Sequence, residues 1–168
     1  MGLDTRVYDN VKIADFIKIE DEDDYDFITY VASPSWDFKI KNLEKDRKYN
    51  GDRVSLDDIA YSYGTHNRFR EHLIKMMRRN DLVDYKGEIA WDALVKENRL
   101  PFYDFINFSD CEGVLDWEIN EKIYKDFNDW HNEAKEYFEQ DSWAYRNYKS
   151  WLSSFDNGRK VGSVVVFG

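Results

Sequence analysis

The chain has 168 residues, 42% apolar and 17% aromatic, with six Trp, twelve Tyr and eleven Phe. So many large side chains exclude a disordered protein despite 35% charged residues, and the length suits one compact domain, residues 1–168. A net charge of −10 and a lone cysteine, Cys111, argue against nucleic acid or an anionic membrane as partner, and against an intrachain disulfide.

No stretch approaches the roughly eighteen apolar residues of a membrane span, and no basic start precedes an apolar run. The expected setting is therefore a reducing cytoplasm. "VKIADFIKI" (11–19) and "YDFITYVAS" (25–33) are rich in β-branched and aromatic residues and predict two strands. "EDEDDYD" (20–26) between them, with six carboxylates in seven residues, reads as a solvated hairpin loop. "WDFKIKNL" (36–43) predicts a third strand, followed by a charged loop ending near Arg53.

From Ser55 the period changes. Ser55 followed by Asp58 resembles a helix start, and Thr65 predicts the cap of a helix at 66–79 with Phe69, Leu73, Met76 and Met77 inward. "EIAWDALVKE" (88–97) and "PFYDFINF" (101–108) predict two shorter helices, the second with proline in its first turn. Asp116 is a cap for a long helix to about Glu139, lined by Ile123, Phe127, Trp130, Ala134, Tyr137 and Phe138. Asp141 is expected to cap the next, which "NG" at 157–158 stops before a closing strand, "VGSVVVF" (161–167). The expected fold class is α+β: a helix-rich second half, with a small sheet joining N-terminal strands to the C-terminal strand.

"NFSDCEGVLDW" (107–117) raises a chemical question. With Gly113 at the sixth position of a calcium loop, Asp110, Glu112 and Leu115 fall where that loop needs them. Phe108 and Ile119 then occupy the first and last ligand positions without an oxygen to give, and Glu118 lies one residue early. The expectation is a helix–turn–helix joint, with Gly113 in the special backbone conformation, Leu115 in the core and Asp116 as a cap. No cofactor is expected; if calcium or magnesium bound, Asp110, Glu112 and Glu118 would be its ligands.

"FSDCEGVLDWE", preceded by "LPFYDFIN", resembles the recurrent motif of a widespread family of small bacterial and phage proteins with no established activity. The opening "MGLD", the helix in "YSYGTHNRFREHL" (61–73) and the final "VVVFG" are similar to that family as well. The likeness covers residues 1–4 and 61 onward, which makes 5–60 a strand-rich insertion on a family-like helical core, 61–168. The family carries His where Phe108 stands and Asp where Glu112 stands, so chemistry resting on that pair would be lost here.

Charge is uneven: residues 101–141 hold twelve acidic and three basic residues, whereas 61–80 hold five basic and one acidic. Arg68, Lys75 and Arg79 share a helix face. Its three readings are neutralisation of the protein's own acidic helix, through Glu118, Asp129, Glu133 and Glu136, an anion or phosphate site, and a contact with an acidic partner protein. His66 and His72 are spaced too far apart to stack two metal ligands on a helix face, and His131 reads as half-buried. No glycine-rich phosphate loop, serine elbow or metalloprotease helix occurs, and the lone "DFK" (37–39) is too short to signify a nuclease. Trp143 and Tyr145 are expected to be partly exposed and to offer a contact surface.

These features predict a cytoplasmic, non-enzymatic acidic protein that binds a protein partner, phage-encoded and modulating a host factor. The alternative is a small anionic-ligand (nucleotide-like) binder or enzyme, with Arg68, Lys75 and Arg79 holding phosphate.

Overall fold

The first strand is built on alternation: Leu3, Thr5 and Val7 are buried while Asp4 and Arg6 between them are half-exposed, the period of a strand with one covered face. A computed structural model describes residues 2–14, 28–29, 39–45, 47–56, 59–108 and 113–168. In it β1 spans Gly2–Ile13, beginning well before the predicted strand at 11–19. The sheet also contains β2 (Ile28–Thr29), β3 (Lys48–Arg53), β4 (Ile59–Ser62), β5 (Gly113–Asp116) and β6 (Val164–Phe167).

Every pairing is antiparallel. β1 is the hub, with β6 paired along residues 5–8 on one edge. Its other edge takes β4 along residues 2–5 and β3 along residues 8–13. β5 adds outside β6 and β2 outside β3. N-terminal strands and the C-terminal strand thus share one sheet, and the fold is α+β.

Several predicted elements move. β3 occupies what the sequence suggested was a charged loop. Tyr49 explains it: the ring is 4% exposed and its hydroxyl accepts the Glu44 N–H at 2.5 Å, so one residue anchors a polar strand. Gly51 permits the close pairing, since a Cβ there would lie 2.9 Å from the Asp9 carbonyl oxygen beside the β1 irregularity. Lys39–Leu43, expected as part of a third strand, forms turns instead. The acidic loop at 20–26, residues 15–19 and 36–38 and Asp58 lie outside the described residues.

The helices are α1 (Tyr63–Met76), α2 (Trp91–Leu94), α3 (Tyr103–Asn107), α4 (Trp117–Asp129), α5 (His131–Tyr137) and α6 (Trp143–Gly158). Ser62, not Thr65, caps α1: its Oγ accepts the Thr65 N–H at 3.2 Å. Ser142 rather than Asp141 caps α6 in the same way. The predicted long helix is two, broken at Trp130, where φ −95° and ψ 12° depart from helical values.

The expected helix–turn–helix joint at Gly113 is also corrected. Residues 113–116 form β5 and pair with β6, because Val114 and Leu115 find a sheet partner in Val165 and Val166. Gly113 has a positive φ of 150°, Leu115 is fully buried, and Asp116 caps α4 through the Ile119 N–H, as the sequence suggested. Trp151 stacks between Phe155 and Phe167, with ring centroids 5.5 and 5.4 Å away, and so joins α6 to the sheet. Among the described residues no helix is long and apolar enough to cross a membrane.

Candidate functional site

The residues singled out by sequence do not converge. Arg79 is held by Asp81 at 2.7 Å and Glu97 at 3.3 Å, just past the end of α1. Arg68 is exposed and Lys75 half-buried on α1, flanking Glu71. Among the described residues none of the three forms an ion pair with Glu118, Asp129, Glu133 or Glu136. Glu118 instead meets Lys41 at 3.3 Å. Asp110 and Glu112 lie outside the described residues, among which no cluster of His, Cys, Asp or Glu suits a metal ion. Trp143 is half-buried, edge-on to Phe69 at 6.2 Å. Tyr145 was expected at the surface but is 6% exposed, its ring packed into the core beneath the Lys149 ammonium.

Several buried polar groups hold the architecture. Asp116 Oδ2 accepts the backbone N–H groups of Lys41 and Asn42 at 3.1 Å each, tying that loop to the start of α4. Asp104, 1% exposed, pairs with Lys39 at 2.7 Å and with Lys122. Asp126 accepts the Phe102 N–H at 2.9 Å where Phe102 takes a left-handed φ of 60°. Burial raises the Asp126 carboxyl to about 6, helped by the nearby charges of Asp104 and Asp129 and opposed by that hydrogen bond and Lys122. His66 sits against Phe105 and Trp151, and burial, then the Arg70 charge, hold it well below the usual imidazole range. Arg70, equally buried, donates to the Phe108 carbonyl at 2.5 Å and to Asn67 Oδ1 at 3.1 Å. That contact brings together the two sequence motifs, in the helix and the loop.

Exposed large apolar side chains lie elsewhere, on the excursion at 80–97. Asn80–Leu82 form one 3-10 turn, and Val83 bridges to Ile89. Between them Asp84 Oδ1 accepts the N–H groups of Lys86 at 2.8 Å and Glu88 at 3.0 Å, and Gly87 supplies a φ of 87°. Leu82, Ile89 and Leu94 are buried and fasten this turn to the core. Three large apolar side chains stand outward among exposed charges: Tyr85 is 92% exposed, Trp91 43% and Val95 52%. Five acidic and two basic residues share the same stretch.

The expected helix at 88–97 shrinks to α2 because the Asp84 turn and the Val83–Ile89 bridge claim its first residues. A helix running through 88–97 gives no sign that Trp91 and Val95 are exposed. "DYKG" (84–87) was the available signal: turn formers bracketed by Val83 and Ile89. Beside the excursion, a cavity of about 350 Å³ opens between it and α1, lined by Gly64, Asn67, Glu71, Glu88, Ile89 and Trp91.

Comparison of the chain with protein-family models, with curated proteins and with solved structures gives no match in any of the three.

Proposed function

We infer that this chain is a non-enzymatic acidic binding protein that docks on a basic protein partner and modulates it. The observation that carries this reading is the excursion at 80–97, which carries exposed Tyr85 on a turn fixed by hydrogen bonds and exposed Trp91 and Val95 at the two ends of α2. Rigid aromatic side chains of this kind supply contact area at low entropic cost and dominate interface energies. The carboxylates around them, within a chain of net charge −10, favour a cationic partner and speed its approach. The motif resemblance supports a bacterial or phage origin, and the single cysteine suits a reducing cytoplasm, where the partner would be a host factor.

A short peptide in which arginine alternates with leucine provides the test, against its glutamine-for-arginine counterpart. Calorimetry should detect binding of the first and not the second. Replacing Tyr85 and Val95 by Ser should weaken the arginine peptide by tenfold or more, about 1.4 kcal/mol. Equal affinity for both peptides would refute the reading.

The anionic-ligand alternative has its own observation, though not at Arg68, Lys75 and Arg79. Arg146, Lys149, Ser150 and Ser153 on α6, with Leu56, line another cavity of about 350 Å³. Stabilisation by phosphate or a nucleotide, abolished by Arg146→Gln with Lys149→Gln, would favour that reading.

A further inference from the structure

We propose that the cavity between α1 and the turn at 83–89 is a socket for one arginine or lysine side chain of the partner protein. This rests on the docking reading above and names the group that the docking face selects.

Glu71 on α1 and Glu88 on the excursion bring two carboxylates to one cavity from different elements. Neither is closed by an ion pair among the described residues. Burial raises the Glu71 carboxyl above its ordinary value; Lys75 and Arg68 oppose the shift, and the charges of Glu88 and Asp84 add to it less. A cation between Glu71 and Glu88 would be held by two carboxylates from different elements. The wall supplied by Trp91 and Ile89 suits the rest of such a side chain: the alkyl stem lies on apolar surface and the charged head can meet the indole face. A bare metal ion would gain nothing from that wall. Asn67 adds a half-buried amide to the lining.

Gly64, an exposed part of the lining, leaves room for a side chain to be added. A Cβ there would meet only Ser62 Oγ, at 4.0 Å, and the residue needs no left-handed backbone. Trp91 lines the cavity and is itself exposed, on the same excursion that exposes Tyr85 and Val95. A partner side chain entering the socket would therefore bring its neighbours onto that surface.

The test is a nuclear magnetic resonance titration with the arginine–leucine peptide, following the Trp91 indole N–H and the Gly64 and Glu88 amides. Wild type should shift at these three places. E71Q/E88Q removes the charges, and G64L fills the socket while leaving every charge in place. Both should bind about tenfold or more weakly, and neither should melt below wild type. Full affinity in both variants, with loss only on changing Tyr85 and Val95 to Ser, would overturn the socket and leave the docking face standing. Loss in E71Q/E88Q but full affinity in G64L would reduce the effect to diffuse charge attraction and also overturn it. Undiminished binding in all three variants would overturn both readings.

Discussion

Gly113 is a residue whose backbone constrains the fold. Its φ of 150° suits glycine, and a Cβ at that position would lie 2.6 Å from Phe108 Cζ. Gly113→Ala should destabilise the protein by about 1–3 kcal/mol in denaturant unfolding; an unchanged midpoint would contradict this placement. Asp126 makes a pH prediction. Its folded pKa of about 6 lies above the ordinary 3.8, so its contribution favours folding below the lower value and is lost as pH rises through the upper. Asp126→Asn retains an acceptor for the Phe102 N–H and removes the charge. The variant should melt higher than wild type at pH 8, with the gap closing toward acid. His66 acts in the opposite sense: it is held neutral by burial and by Arg70, so stability falls as pH drops below about 6.5 and the unfolded chain takes up a proton that the folded one refuses.

Elements were legible where apolar periodicity was strong and misread where one polar contact decided the matter. α1, α4 and α6 follow their buried faces, and β6 follows its run of valines. β3, by contrast, rests on the single buried Tyr49 and on the room made by Gly51, which no alternation announces. β5 is four residues long and exists through its pairing with β6, a contact about fifty residues away in sequence that local reading cannot see. The loop before it accordingly reads in sequence like a calcium site, yet leads into a buried strand. Millimolar calcium should leave the melting temperature unchanged, and a clear rise would reinstate Asp110, Glu112 and Glu118 as ligands. The turn at 84–88 escapes the sequence for a related reason, since the hydrogen bonds of Asp84 take the first residues of the helical pattern at 88–97 and leave it to α2. Asp84→Ala should speed hydrogen exchange at the Lys86 and Glu88 amides and weaken the arginine–leucine peptide, while the exchange of α4 and α6 stays unchanged.

At the scale of the molecule, acidity and aromatic content were plain in the sequence, but their spatial sorting was not. Among the described residues most aromatic rings belong to the core, including Tyr145, which the sequence suggested was partly exposed. The aromatics left outward on the excursion are few and stand among carboxylates. Attraction over a surface of this charge should weaken with salt, whereas the contact of Tyr85, Trp91 and Val95 should not. Raising the ionic strength should therefore slow association of the arginine–leucine peptide more than it speeds dissociation. The most direct measurement of the central claim is the hydrogen-exchange footprint of that peptide on the intact chain. Protection should fall on residues 83–95 and the first turn of α1. Protection confined to the acidic faces of α4 and α5, or to the cavity beside Arg146 and Lys149, would contradict it.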